Sequence, residues 1–444
     1  MAGATSRAHR TPLVARVRGL VALGLLLVAS GLATGCRTAD APPPARPNVL
    51  VLVIDALRAD HLGSYGYRRA TSPSIDALAA RGVRFARVTS ASNRTRSAMP
   101  SLWTGLLPSH HGTLRRNDTL SPDLVTAAEL FAASGHQTVA HVANPVLTAR
   151  FGLDQGWDVY AETDVVLRDG EDWRRHESAA KLQSSFLSWL DHERDAKRPF
   201  LAWIHYWDVH GPYLPPPGYL DMFPPERRRA LTADEIGRVQ NGLRLPVDDL
   251  AYYVSSYDAE IRYVDDRIEE LLAALAARGL DRSTYVVLTA DHGEAFLEHG
   301  SWDHGETLHE EQIHVPLILA GPGLAPRTVE RVVSSVDLFP TLLDLAAIPA
   351  PPSDGTSLRP LLSGDDDTAY TRTVAVSEVS HRRDGMHRAA RDAERKLLAH
   401  DLAATELFDL SRDPGETTDR LADEPAAAAA LRAALVEQLA ARPI

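Results

Sequence analysis

Hydrophobic and polar positions along this chain alternate between two kinds of segment. Short apolar runs at 49–54, 137–142, 200–205, 285–288 and 315–319 have the length and continuity of buried strands. Between them, 122–133, 178–190, 252–277 and 336–345 read as helices. Strands that alternate with helices predict an α/β fold, a mostly parallel sheet sandwiched by helices on both faces. The stretch 211–247 breaks the pattern with seven prolines and a cluster of arginines, and is expected to be an irregular excursion near a cleft. From 366 to 420 the runs shorten, as in a small antiparallel α+β subdomain, and an alanine-rich segment at 425–441 predicts a closing helix. There is no internal repeat.

The pattern has a different character before residue 48. Arg7, Arg10, Arg16 and Arg18 precede an apolar run at 20–29 that is too short to span a bilayer comfortably. It ends Leu32-Ala33-Thr34-Gly35-Cys36, and Cys36 is the only cysteine of the 444 residues, so no disulfide forms within one chain. Small residues before a lone cysteine resemble a bacterial lipobox, in which the thiol is acylated. An ordinary cleaved signal peptide and an uncleaved anchor are the alternatives. The expected organisation is a leader at 1–35, a proline- and alanine-rich tether at 36–47, a catalytic domain at 48–365 and a C-terminal subdomain at 366–444. This implies a lipid-anchored protein of the bacterial cell envelope, facing the periplasm or the exterior. The formal net charge is −12, and the leader contributes four positive charges and no negative one. So acidic a surface argues against nucleic-acid binding and favours a small substrate held in a cleft.

Two of the apolar runs end on acids. Asn48-Val49-Leu50-Val51-Leu52-Val53-Ile54 leads into Asp55, and Thr284-Tyr285-Val286-Val287-Leu288 continues through Thr289 and Ala290 into Asp291-His292-Gly293-Glu294. Buried strands of this kind deliver carboxylates to one edge of a sheet; with Thr95 and His292 they make an oxygen/nitrogen ligand set for a divalent cation. Thr95 itself lies in Ser92-Asn93-Arg94-Thr95-Arg96-Ser97-Ala98-Met99-Pro100-Ser101-Leu102-Trp103-Thr104-Gly105, ahead of Pro108 and His111-Gly112. On these residues the chain resembles the sulfatase family of the alkaline phosphatase superfamily. Val336-Asp337-Leu338-Phe339-Pro340, Gly355-Thr356-Ser357-Leu358, Glu406-Leu407-Phe408-Asp409-Leu410 and Asp413-Pro414-Gly415-Glu416 extend the resemblance across 47–420.

The resemblance implies an alkaline-phosphatase-like fold, with Asp55, Thr95, Asp291 and His292 as ligands of one divalent ion. Three oxygens and an imidazole suit Mn²⁺ or Zn²⁺ better than an all-oxygen Ca²⁺ shell, with Ca²⁺ and Mg²⁺ left open. It also implies a nucleophile at Thr95, ten residues before Gly105. Family members that carry Cys or Ser there, in a Cys/Ser-x-Pro/Ala-x-Arg signature, convert it to formylglycine. Here Ser97 and Met99 hold the later signature positions, so an unmodified threonine is expected, activated by the cation and a helix N-terminus. The plainer reading of Thr95 is a helix cap. Ala56 stands where many relatives have a second Asp, and His292 where they often have Asn.

Two histidine segments resemble the family's leaving-group and anion-binding elements. In 205–213 the candidates for substrate contact are Asp208 and His210, whereas His205 is expected to be a core residue. In 298–305 they are His299 and His304, with His304 in the place of a family lysine. His210 and His304 are the candidate proton donors. A Gly-Lys-Trp-His segment typical of relatives is missing after Gly135, and Asn144 is a candidate pocket residue instead. With that lysine absent there is less fixed positive charge, and metal and histidines are expected to do more of the anion stabilisation. The chain therefore reads as a hydrolase or transferase acting on phosphate, phosphonate or sulfate esters of a small molecule, glycan or lipid headgroup. A sulfatase working without formylglycine, and a non-catalytic anion- or glycan-binding lipoprotein, are the alternatives. Oligomeric state is not encoded in any pattern found.

Overall fold

The computed structural model describes residues 46–163, 178–225, 247–364, 367–381 and 384–441. The leader, the tether, Cys36 and most of the proline-rich excursion lie outside the described residues. Among the described residues no helix is long and apolar enough to cross a membrane.

The strands are β1 (Asn48–Ile54), β2 (Val83–Thr89), β3 (Gln137–Val142), β4 (Val159–Glu162), β5 (Phe200–Tyr206), β6 (Thr284–Thr289), β7 (Ala295–Phe296), β8 (Trp302–Asp303), β9 (Leu317–Ala320) and β10 (Arg327–Ser334). Eight of them form one sheet in the order β10-β2-β9-β6-β1-β5-β3-β4. β9 runs antiparallel to β2 and β6, and the remaining pairings are parallel. The expected mostly parallel sheet is therefore borne out. Every residue of β1, β5 and β6 is buried, as strands covered on both faces by helices must be. Trp103, Trp157 and Trp203 meet edge-on, with ring centroids 5.8 to 6.4 Å apart, in the layer between the sheet and the helix Thr95–Thr104.

The helices differ from expectation mainly at their ends. The helix expected from 122 begins at Ala127, because Thr126 accepts the Glu129 N–H while the Glu129 carboxylate accepts the Thr126 N–H. The long helix Val247–Ala277 starts earlier than its apolar pattern suggested. The first turn of the segment at 336 is a tight 3₁₀ turn, Ser335–Asp337, before the helix Leu338–Leu345.

C-terminal strands β11 (Ala375–His381), β12 (Gly385–Arg391), β13 (Arg395–His400) and β14 (Ala403–Asp409) form an antiparallel meander in sequence order. The helix Pro425–Ala440 covers it, burying Leu431 and Leu435 against Val376, Leu397 and Leu407. The same apolar cluster takes in Ala91, Leu107 and Val336 from the larger sheet's side, which seats the meander beside the loop that carries Thr95. Glu378 N–H donates to the Ala91 carbonyl at 2.8 Å, fixing that seat.

Candidate active site

Parallel strands present their C-terminal ends to one edge of the sheet, and the candidate chemistry gathers there. Asp55 follows β1, and its neighbour Ala56 adopts a left-handed backbone with φ of 58°, uncommon for a residue with a side chain. That turn aims the Ala56 N–H at Asp291 Oδ1, 3.3 Å away, and its carbonyl at the Tyr257 hydroxyl, 2.7 Å away. Asp291 and His292 follow β6. Gly293 comes next because the chain presses against the Glu311 backbone there, where a Cβ would collide with the carbonyl oxygen.

Thr95 opens a fully buried helix, Thr95–Thr104, that ends on Gly105 with φ of 68°. At Gly105 a side chain would meet Phe339 Cδ1 at 2.7 Å. The Thr95 hydroxyl is 3.5 Å from Asp55 Oδ1 and 3.0 Å from His292 Nε2. His292 Nδ1–H donates to the Gly293 carbonyl at 2.8 Å, which leaves the Nε2 lone pair facing Thr95. His292 Nε2 is also 3.6 Å from Asp55 Oδ1 and 3.5 Å from Asp291 Oδ2. Thus the structure brings Asp55, Thr95, Asp291 and His292 together, all buried. Asn144 joins them: its Nδ2–H donates to Asp55 Oδ2 at 2.5 Å and orients that carboxylate.

The electrostatics suit a cation. Burial alone would raise the Asp291 carboxyl, but His292 and His205 beside it hold it well below the usual carboxylate range. Burial depresses His292 further than Asp291 can raise it, so the imidazole is neutral and available as a donor. Carboxylate oxygens, a hydroxyl and a neutral imidazole within a few ångströms fit a divalent ion.

Around this cluster lies a cavity of about 980 Å³, lined in part by Thr95, Asn144, Trp207, His210, Asp303 and His304. The His304 ring lies 4.1 Å from that of His292 and 4.9 Å from that of His210. Burial works against a charge on His304, yet Asp303 at 2.6 Å and Glu294 at 3.2 Å outweigh it and hold the ring protonated well above its ordinary range. His210 Nδ1–H donates to the Gly211 carbonyl at 2.6 Å.

Two expected substrate residues are not brought to this cavity. Asp208 is fully buried and accepts from the Ser178 hydroxyl at 2.5 Å; burial pushes its carboxyl up to about 7. His299 stacks on His309 at 3.6 Å and pairs with Glu311 at 2.9 Å, away from the cavity lining.

Other residues enter the site unforeseen. His205, expected to be a core residue, sits against Asp55 and Asp291. Its signal was a lone ionisable residue inside the otherwise apolar run of β5. Fixed positive charge also reaches the cavity from residues not singled out in the sequence, because Arg94, Arg96, Arg115 and Arg116 all line it. Arg96 lays its guanidinium 3.4 Å from the Phe151 ring centre, and burial brings its pKa down to about 10, still charged at neutral pH. Direct flanking of Thr95 by Arg94 and Arg96 was the available signal.

Known proteins share this arrangement of sequence and fold. Residues 47–348 match the sulfatase family model, and residues 297–442 match that of the N-sulphoglucosamine sulphohydrolase C-terminal region. The choline-sulfatase of Rhizobium meliloti is 26% identical over 436 residues, covering 86% of this chain and 83% of its own. The Δ4,5-hexuronate-2-O-sulfatase of Bacteroides thetaiotaomicron is 24% identical over 426 residues, covering 87% of both chains. The phosphonate monoester hydrolase of Agrobacterium radiobacter superposes with a TM-score of 0.75 at 23% identity, over 89% of this chain and 96% of its own. With a family model spanning most of its length and a fold to match, the chain belongs to the sulfatase family of ester hydrolases.

Proposed function

We propose that this protein is a metal-dependent hydrolase or transferase that cleaves phosphate or phosphonate esters through a covalent intermediate on Thr95. The observation that carries the reading is the Thr95 hydroxyl at a helix N-terminus, 3.0 Å from His292 Nε2 and 3.5 Å from Asp55 Oδ1, at the edge of an arginine-lined cavity. Asp55, Thr95, Asp291 and His292 would hold the ion. A divalent cation there would supply Lewis-acid polarisation and lower the pKa of a coordinated hydroxyl.

The remaining steps belong to the chain's own residues. Thr95 gives up its hydroxyl proton to solvent, and Oγ1 forms the bond to the central atom of the ester as that atom's bond to the leaving oxygen breaks, aided by the positive end of the helix. Arg94, Arg96, Arg115 and Arg116 draw an anionic ester into the cavity, an effect that weakens with salt. Protonated His304, with His210 beside it, donates to the departing oxygen. Water or an acceptor hydroxyl then releases the group from Thr95.

A sulfate ester is the second reading, favoured by the names of the curated relatives, which are sulfatases. The test is a panel of phosphodiester, phosphonate monoester and aryl sulfate substrates after metal reconstitution, with intact-mass analysis of quenched enzyme. Phosphorus esters turning over faster, with an adduct on the Thr95 peptide, is the expected result. Faster aryl sulfate turnover would replace it with the sulfatase reading. Anchoring through acylated Cys36 belongs to the same proposal: Cys36→Ala should move the protein from membrane to soluble fraction, and unchanged membrane association would point to the uncleaved leader.

A further inference from the structure

His205 is the feature of the site that neither the motif nor the proposed chemistry uses. It lies near the C-terminal end of β5, in register with Val53 of β1 and Val142 of β3, and is completely buried. Neither of its ring nitrogens makes a hydrogen bond. Asp291 Oδ2 has no hydrogen-bond partner either. Leaving such groups buried and unsatisfied is costly, more so for a charged one, so something is expected between them.

The distances say what fits. His205 Nε2 is 4.0 Å from Asp55 Oδ2 and 3.9 Å from Asp291 Oδ2, too far for hydrogen bonds. Two donors that each sit about 2.1 Å from one ion and lie this far apart subtend roughly 140° at it, an ordinary angle in a five-coordinate shell. His292 Nε2, at 3.5 Å from Asp291 Oδ2 and 3.6 Å from Asp55 Oδ1, would subtend roughly 115° on the same basis. Asp55, His205 and Asp291 thus offer three ligand atoms that all lie within 4.8 Å of one another.

A neighbouring trio fits less well. His210, Asp303 and His304 are also close, but Asp303 and His304 are already paired at 2.6 Å, which makes them each other's partner. His205 has no such partner.

Resting on the metal reading above, we propose that His205 is an inner-sphere ligand, through Nε2, of the ion held by Asp55, Thr95, Asp291 and His292. A shell of two imidazoles and three oxygens selects a first-row transition-metal ion such as Mn²⁺ or Zn²⁺ over Ca²⁺ or Mg²⁺, whose preferred donors are all oxygen. The rival occupant is a proton: a His205 imidazolium would neutralise the two carboxylates and take the cation's place.

The test measures metal rather than turnover. Full-length protein is dialysed against equimolar Ca²⁺, Mg²⁺, Mn²⁺ and Zn²⁺ and its metal content determined, then Zn²⁺ and Ca²⁺ affinities are measured by competition titration for wild type, His205→Gln and His292→Gln. Wild type should retain one transition-metal ion. His205→Gln should weaken Zn²⁺ binding by about 10-fold or more and change Ca²⁺ affinity much less. Zn²⁺ affinity unchanged in His205→Gln but lost in His292→Gln would overturn this inference and leave the metal site standing. A wild type that retains no divalent ion would overturn both. If His205→Gln does not fold, as judged by circular dichroism, X-ray absorption of the Co²⁺-loaded wild type decides. Two imidazole shells are expected, and a single one would overturn the assignment.

Discussion

One cluster of buried ionisable groups lies at the C-terminal edge of β1 and β6, and another where β13 meets the larger domain. In the second, Lys396 is fully buried, with Nζ 2.5 Å from Glu416 Oε1 and 3.2 Å from Glu310 Oε1. Arg391 adds a second cation 3.5 Å from Glu310, and Glu416 accepts the Glu310 N–H at 2.7 Å. Burial would raise Glu310, but Lys396 and Arg391 hold it charged at about 2. Every charge there is answered from within the chain. In the first cluster, among the described residues, no lysine or arginine pairs with Asp55 or Asp291, and His205 and one Asp291 oxygen have no hydrogen bond. Both clusters lie largely out of solvent, with Glu310 at 16% exposure the most open member, so burial alone does not distinguish them. Pairing with Lys or Arg does: ion pairs made within the chain hold a fold together, whereas buried carboxylates with no lysine or arginine partner are a place for a cation.

Thr95→Ala gives the largest effect that this contrast predicts. Turnover should fall by about 10³-fold or more, because only electrostatics would remain, while Thr95→Ser keeps a measurable fraction. Thermal stability should hardly move, and steady-state kinetics beside a melting curve check both. Retained activity in Thr95→Ala would remove the nucleophile from the first cluster.

Lys396→Ala should do the reverse. It strands two buried carboxylates and should cost about 3–5 kcal/mol in denaturant unfolding, with kcat per folded molecule unchanged. A loss of activity without a loss of stability would break the distinction between the clusters.

The smallest effect concerns His110, whose Nδ1 is 2.8 Å from Asp354 Oδ2 and whose Nε2 faces the Leu439 carbonyl at 3.1 Å. The hydrogen bond that His110 donates to Asp354 is the main reason that its pKa is raised, against burial. A raised histidine contributes stability that is fully present below its unfolded value of about 6.5 and is lost as pH rises through the folded value. The stability gap between wild type and His110→Gln should therefore shrink as pH is raised from roughly 6 to 9. A gap that widens would mean that the ring is neutral in the folded protein.

Much of the sheet was legible because a strand covered on both faces is largely apolar, and 49–54 reads that way end to end. β2 and β10 were not, because they lie towards one side of the sheet and carry Arg84, Arg87 and Glu330 among their apolar positions. The meander and its closing helix were legible as short runs, but not the seat of that unit beside Ala91 and Val336.

What the sequence determined by itself is local or carried by a motif. The type of each main element follows from patterns read over a few neighbouring residues, since backbone geometry sets their period, and the grouping of Asp55, Thr95, Asp291 and His292 is what the family resemblance implied. What the tertiary structure decided depends on distance through space. The β1–β5 register sets His205 beside Asp55, and the turn after β3 puts Asn144 on the same carboxylate. The fold also directs Asp208 towards Ser178 and lines the cavity with Arg115 and Arg116. Hydrogen bonds and ion contacts act over about 3–4 Å, so which buried groups find partners is settled only when strands far apart in sequence are packed side by side.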